Sequence, residues 1–124
     1  MRLAQSPPWL RLVLFIGVSA ILLDAGLRPE PIPQVFNQED KLHHLVGFMA
    51  LAFCCRLAFP ATRLSVVTLG CLLTGVLIEA AQELMPLRTA SAYDMLANCT
   101  GVLIGLLLAR ALDSFATKTS LEPR

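Results

Sequence analysis

Hydrophobic residues fall into four long runs along this chain, with prolines between the runs and charged residues concentrated near their ends. The runs cover residues 9–27, 40–59, 64–85 and 93–112. A helix needs about 20 predominantly apolar residues to cross the hydrocarbon core of a bilayer, and each run is about that long. The pattern predicts an all-α fold, namely an integral membrane bundle of about four transmembrane helices.

Prolines set the limits of these runs. Pro60 and Pro86 follow the second and third runs, where a ring without an amide hydrogen stops a helix. The linker at 28–33 is rich in proline, so we expect it to be extended. Residues 113–124 form a polar tail, which we expect to be disordered beyond its first few residues. The sequence therefore predicts a single membrane domain over residues 1–124.

The first run is also compatible with a cleaved signal peptide, because a basic residue precedes a short apolar stretch. No small-x-small cleavage site follows Leu23, where the sequence continues Asp24-Ala25-Gly26. An uncleaved first helix is therefore favoured.

Composition agrees with a membrane location. The 124 residues are 56% hydrophobic and 15% charged, with a mean hydropathy of +0.66, which is too apolar for an ordinary soluble domain. The formal net charge is +1 and the basic residues are scattered, which argues against a nucleic-acid partner. Four cysteines lie inside the runs without metal-binding spacing, so we expect them to be small buried hydrophobes: Cys54, Cys55, Cys71 and Cys99.

The distribution of basic residues predicts the orientation of the bundle. With the N-terminus inside, seven of the ten Lys and Arg residues flank the inner ends of the runs (Arg2, Arg11, Arg56, Arg63, Arg110, Lys118 and Arg124). The other three, Arg28, Lys41 and Arg88, flank the outer ends. Because basic residues prefer the cytoplasmic side, this count predicts a multi-pass protein with both termini in the cytoplasm.

Alternating helix directions bring the start of the second run, the end of the third and the start of the fourth to the same membrane face. Each of these ends carries polar residues on one helical face. The four candidate catalytic residues are Asp40, His44, Glu79 and Asp94. The four candidate ligand-binding residues are Lys41, Gln82, Arg88 and Asn98. Ionisable groups at membrane depth are costly unless paired or hydrated, so we expect these side chains to converge.

Structural and functional roles both stay open for the two central residues. His44 could cap a helix start, or it could act as a general base or proton carrier, because an imidazole changes charge near physiological pH. Glu79 could join two helices through Lys41 or Arg88, or it could exchange protons. His43 points about 100° away around the helix, so an interfacial position is enough to explain it.

Other kinds of chemistry find little support in the sequence. His44, Glu79 and Asp94 are suitable metal ligands in type, but their spacing matches no metal motif, so we expect no metal site. Neither a nucleophile elbow nor a phosphate-binding glycine loop occurs, and we expect no cofactor. Three glycines are predicted to allow close helix packing: Gly75, Gly101 and Gly105.

The order of these residues resembles the VanZ-like family of small bacterial membrane proteins. The similarity rests on Asp40-Lys41-x-x-His44, Glu79-x-x-Gln82 and Pro86-x-Arg88-x-x-Ser91-x-x-Asp94-x-x-x-Asn98-x-x-Gly101. It covers about residues 40–105. Two positions depart from the pattern: His43 duplicates the imidazole, and Leu45 stands where an aromatic residue is expected.

The resemblance implies a protein of the bacterial inner membrane and, for the family's namesake, a link to resistance against the glycopeptide teicoplanin. It implies no known reaction, so whether the chain is an enzyme stays open. We expect a cell-envelope function with membrane lipids as partners and an anionic isoprenoid or cell-wall lipid as ligand, its phosphate held by Lys41 and Arg88. The alternatives are a proton-coupled transporter or channel subunit, which would need to form a homo-oligomer, and a non-catalytic structural membrane partner.

Overall fold

The computed structural model describes residues 6–120 of the chain, with side chains to residue 116. Arg2 and Arg124 of the charge count lie outside the described residues, as does the side chain of Lys118. Within the described part, all the regular structure is helical: α1 (Pro8–Leu27), α2 (Glu39–Ala58), α3 (Leu64–Glu83) and α4 (Ala92–Ser120). Each helix is long and apolar enough to cross a membrane. The predicted fold class, a membrane bundle of four helices, is confirmed.

The fourth helix is longer than its hydrophobic run. It continues to Ser120, whereas the apolar pattern ends near Leu112, so residues 113–120 are helical instead of forming a disordered tail. Neither proline nor glycine occurs between Gly105 and Ser120. Polar residues alone do not stop a helix, because its backbone hydrogen bonds do not depend on the side chains.

The most extensive helix contact joins α2 and α4. A Cβ atom added to Gly101 would collide with the carbonyl oxygen of Leu45, and one added to Gly105 would collide with that of Met49. Small residues allow membrane helices to pack backbone against backbone, which gains dispersion energy along the whole contact. The glycine pair therefore holds the two helices that carry His44 and Asn98 at close range.

Helix α1 lies on the outside of this arrangement. It has no buried residue, and it contacts α2 more extensively than α3. The core beneath it is formed by residues of the other three helices, with Phe48 fully buried and Ile78 and Val102 nearly so. As a result, an apolar groove runs between α1 and α3, lined by Phe15, Leu51, Leu77 and Ile78 among others.

The cysteines divide into two groups. Cys54 and Cys71 are buried, as expected for small hydrophobes, whereas Cys55 is half-buried and Cys99 is exposed. All four are free thiols. In a membrane, the exposed position of Cys99 on α4 faces lipid or another protein surface.

Candidate functional site

The start of α2 is fixed by a local cap. The Glu39 carboxylate accepts hydrogen bonds from the backbone amides of Val35 and Phe36, which precede the helix. Such a cap satisfies amides outside the first turn and places an acid where the helix dipole favours it. One helical turn further along α2, His44 is turned towards α3 and α4.

The start of α4 is fixed by Ser91. Its hydroxyl accepts a hydrogen bond from the amide of Tyr93 at 3.2 Å, which is the usual role of an N-cap serine. Its own backbone amide donates to Glu79 Oε2 at 3.1 Å. Glu79 at the end of α3 thereby holds the first turn of α4, and Asp94 in that turn lies beside the same cluster.

His44 is the centre of the site. Its ring nitrogen Nδ1 donates a hydrogen bond to Asn98 Oδ1 at 2.9 Å. The same nitrogen lies 3.8 Å from Glu79 Oε1, and the opposite nitrogen, Nε2, lies 3.8 Å from Asp94 Oδ2. One imidazole from α2 therefore faces side chains of both α3 and α4, and the predicted convergence of these three helix ends is present in the structure.

A second group of charged side chains lies next to the imidazole of His44. Lys41 Nζ is 3.0 Å from Asp40 Oδ2 and 3.6 Å from Asp94 Oδ1. The lysine thus joins the first turns of α2 and α4. Since its ammonium group is shared by two carboxylates, only part of its charge is left for a ligand.

The buried part of the cluster around His44, formed by Glu79, Asp94 and Asn98, contains several hydrogen-bond acceptors and few donors. Glu79 is 8% exposed, Asp94 5% and Asn98 0%. Glu79 Oε1 and Asp94 Oδ1 are buried without a hydrogen-bond partner among the described residues. A buried carboxylate oxygen without a donor is unfavourable in an apolar environment, so these two oxygens are available to a hydrogen-bond donor or a cation.

Three of these side chains are close enough to share an ion. One ligand atom each from His44, Glu79 and Asp94 lies within 4.8 Å of the others. The expectation of no metal site rested on spacing along the sequence. Spacing cannot reveal this arrangement, because the three side chains come from three different helices.

Gln82 and Arg88 are turned towards α1. Gln82 Nε2 donates to the carbonyl oxygen of Gly26 at 3.0 Å, and Arg88 Nη2 donates to those of Ala25 and Gly26 at 3.3 and 3.2 Å. The sequence predicted that both residues bind a ligand, but it did not identify the two α1 carbonyls as their hydrogen-bond partners. The signal was present: α1 ends at the same membrane face, and its last carbonyls lack helical partners.

A cavity opens beside these contacts, between the end of α1, the 28–38 loop and the ends of α2 and α3; we call it the polar cavity. Its polar lining comes from Asp40, His43, His44, Gln82 and Arg88. Its apolar lining includes Leu22, Phe48 and Ile78, and the loop adds Pro31, Ile32 and Gln34. A ligand there would meet charged and apolar groups on opposite sides.

The two neighbouring histidines have different surroundings. The His43 side chain is 47% exposed and lies 3.6 Å from Glu39 Oε1 on its own helix, whereas that of His44 is 14% exposed. His44 is therefore the imidazole that enters the cluster, and His43 lines the mouth of the polar cavity.

Gly75 makes room for the site on α3. A Cβ atom at this position would lie 3.2 Å from Asn98 Nδ2 and 3.4 Å from the ring of Phe48. The missing side chain allows Asn98 to lie against α3 while it accepts the hydrogen bond from His44. This glycine thus supports the site itself, whereas Gly101 and Gly105 pack α4 on α2.

Comparison with known proteins gives one match. The family model for VanZ/LLP1 matches residues 5–113, which adds α1 and residues 106–113 of α4 to the region on which the sequence resemblance rests. No curated protein and no solved structure matches the chain. Because the family match covers most of the 124 residues and includes every residue of the polar cluster, the chain belongs to the VanZ/LLP1 family.

Proposed function

We propose that this protein acts in the bacterial cell envelope by binding the headgroup of an anionic lipid, with a lipid-linked cell-wall intermediate as the favoured ligand. One observation carries the proposal: the polar cavity adjoins the apolar groove between α1 and α3. Leu22 and Ile78 line both spaces. A lipid has the same division into a charged end and an apolar chain.

The groove suits a hydrocarbon chain that enters from the side. Beyond Leu22 and Ile78 it is lined by Leu23, Leu51 and Leu77, and α2 forms its floor. Because α1 and α3 make few contacts, a chain can lie between them without breaking a packed interface.

Arg88 is the cation that lines the polar cavity. Among the described residues, its hydrogen bonds come from Nη2 alone and go to α1 carbonyls. A guanidinium has five N–H donors, so donors on Nε and Nη1 are left for a phosphate. Lys41 on α2 supplies a second positive charge at the same end of the bundle as Arg88.

Native mass spectrometry of the protein purified from its own membrane tests this proposal. Wild type is expected to carry an anionic isoprenoid or cell-wall lipid, and Arg88→Ala combined with Lys41→Ala is expected to lose it. Arg63→Ala is the matched control, because this arginine lies in the loop at the opposite end of the bundle. If all three proteins carry the same bulk phospholipids, the lipid proposal fails.

A bulky side chain tests the groove separately from the headgroup. Leu77→Trp should displace the chain and reduce the amount of bound lipid, because Leu77 lines the groove. Leu73→Trp is the control, since Leu73 is exposed on α3 to a similar extent but does not line the groove. Equal lipid binding by both variants would place the lipid elsewhere.

A link to teicoplanin resistance follows from the similarity to the family's namesake and is tested in cells. Expression of the chain in a teicoplanin-sensitive bacterium should raise the inhibitory concentration of the drug, and Arg88→Ala should abolish the effect at equal protein levels. An unchanged inhibitory concentration with wild type would remove this part of the proposal.

A second candidate function is proton-coupled transport, and the position of His44 between two carboxylates favours it. Four helices enclose little space, so this function would require a homo-oligomer. Proton uptake into proteoliposomes that depends on both His44 and Glu79 would support it. A merely structural cluster would instead tolerate His44→Leu combined with Glu79→Leu, and this double variant could be more stable than wild type.

A further inference from the structure

We propose that His44, Glu79 and Asp94 bind one divalent transition-metal ion of the Zn²⁺ or Mn²⁺ type. The site goes beyond the lipid proposal and does not depend on it. Its three ligands come from α2, α3 and α4, so a bound ion would join the three polar helix ends of the bundle.

The hydrogen bond to Asn98 prepares the imidazole for this role. Asn98 Oδ1 lies 2.9 Å from Nδ1, and a carbonyl oxygen only accepts, so Nδ1 carries a proton. In the neutral ring, Nε2 then holds an unshared electron pair. Metal-bound histidines almost always donate from their second nitrogen in this way, because the hydrogen bond fixes the tautomer and the ring orientation.

The atoms around Nε2 are acceptors. Asp94 Oδ2 lies 3.8 Å from it, and Glu79 Oε1 lies 3.8 Å from the other ring nitrogen. Glu79 is 92% buried and Asp94 95% buried, from exposures of 8% and 5%, and each has one oxygen without a hydrogen-bond partner among the described residues. One ligand atom each from His44, Glu79 and Asp94 lies within 4.8 Å of the others, so a cation between the imidazole and the two carboxylates would offset their negative charge.

Lys41, the neighbouring cation, does not neutralise both carboxylates. Lys41 Nζ lies 3.6 Å from Asp94 Oδ1, but it is closer to Asp40, at 3.0 Å. Among the described residues it forms no ion pair with Glu79, whose partner on the other oxygen is the neutral amide of Ser91. Asp94 therefore shares one ammonium group with Asp40, Glu79 has none, and a divalent ion would offset the remaining negative charge.

The distances suit an ion of this size. Zn²⁺ holds nitrogen and oxygen ligands at about 2.0–2.2 Å, so two of its ligand atoms lie at most about 4.3 Å apart. The pair formed by His44 Nε2 and Asp94 Oδ2, at 3.8 Å, already satisfies this limit. The widest separation among the three ligand atoms is within 4.8 Å and would close by a small movement of Glu79 or Asp94. One imidazole with two carboxylates favours Zn²⁺ or Mn²⁺ over Ca²⁺ or Mg²⁺, which prefer oxygen alone.

Direct titration tests the site. The full chain, purified in detergent through a tag without histidine and stripped with a chelator, is titrated with Zn²⁺ and Mn²⁺ by calorimetry. We expect one ion per chain and a rise in thermal stability on binding. If neither ion binds the folded protein at millimolar concentrations, the proposal is wrong.

Variants with matched controls locate the ion. Glu79→Gln and Asp94→Asn should each weaken binding at least about tenfold, as should loss of His44. Glu83→Gln and His43→Gln are the controls, since Glu83 is exposed on α3 and His43 is half exposed on α2. Circular dichroism verifies that each variant is folded. Equal affinities in site and control variants would contradict the site.

Asn98 tests the positioning role. Asn98→Leu should lower the affinity roughly 10- to 100-fold, whereas Asn98→Asp keeps an acceptor for Nδ1–H and should retain binding. If a folded Asn98→Leu protein binds the ion as tightly as wild type, His44 is not oriented in this way.

Nitrogen NMR separates a metal ion from a proton as the occupant. The chain has two histidines, so labelled imidazole nitrogens give few signals, and His43→Gln assigns them. We expect Zn²⁺ to shift the Nε2 signal of His44 and to leave that of His43 in place. A His44 ring that is doubly protonated at neutral pH and unaffected by Zn²⁺ would show that a proton occupies the position instead.

Discussion

Asn98 shows at the scale of one residue how a polar group is retained in an apolar interior. Its side chain is fully buried among α2, α3 and α4, where water cannot satisfy an amide. It accepts a hydrogen bond from His44, and the absence of a side chain at Gly75 leaves space for it. Asn98 orients the His44 ring, because its hydrogen bond to Nδ1 determines which ring nitrogen is turned towards the carboxylates.

Replacement of Asn98 by leucine should therefore lower stability as well as disturb the site. The change leaves the Nδ1–H donor of His44 without an acceptor, which costs about 1–3 kcal/mol for a buried group. Denaturant unfolding in detergent micelles measures the difference. Thr100→Val is the control, because this exposed hydroxyl bonds only to the Leu96 carbonyl of its own helix. A loss in Thr100→Val as large as in Asn98→Leu would contradict the assigned role.

The helices show which interactions position the site. Close packing of α2 on α4 brings His44 to Asn98, and the bond between Glu79 and Ser91 joins the end of α3 to the start of α4. Helix α1 is attached differently, by side-chain donors from Gln82 and Arg88 to its terminal carbonyls. The α2–α4 pair thus has the most extensive contact in the bundle, whereas α1 contributes two backbone carbonyls and part of the lining of the polar cavity.

Gly101→Ala should separate α2 from α4. The added methyl group would meet the Leu45 carbonyl oxygen and the Met49 amide, which are backbone atoms and cannot rotate away. We expect a loss of about 1–3 kcal/mol in unfolding free energy, typical of overpacking. Gly70→Ala is the matched control, because nothing lies within 4 Å of its Cβ position. That control should be neutral or slightly stabilising, since alanine favours a helix by about 0.5–1 kcal/mol.

Sequence patterns predicted these elements and the meeting of their polar ends, but not every partner. Run length and prolines determine where membrane helices form, and alternating direction places His44, Glu79 and Asp94 at one face. The carbonyls bound by Arg88 were missed although α1 was expected to end at the same membrane face, because every residue has a carbonyl and the pattern does not specify which ones a side chain reaches. The end of α4 was missed because apolar patterning reports lipid contact and not helix formation.

The two ends of the helix bundle carry different polar and charged side chains. One end carries the polar cavity and, beside it, the cluster of acids with His44 and Lys41, while the other carries the loop with Arg63 and the start of α1 with Arg11. Between them, large apolar side chains are exposed on all four helices, as expected for a surface in contact with lipid. If all four helices cross the membrane, residues 6 and 120, the two ends of the described part of the chain, lie on the same side.

The excess of basic residues predicts that the polar cavity faces outwards and that both termini are cytoplasmic. Cysteine labelling tests this in a background without the four natural cysteines. Val35→Cys, at a position 89% exposed in the 28–38 loop, should react with a membrane-impermeant maleimide in intact cells of a bacterial host. Ala61→Cys, in the exposed loop at the opposite end, should react only after the cells are permeabilised. The reverse pattern would place the cavity on the cytoplasmic side, where an externally exposed cell-wall intermediate could not reach it.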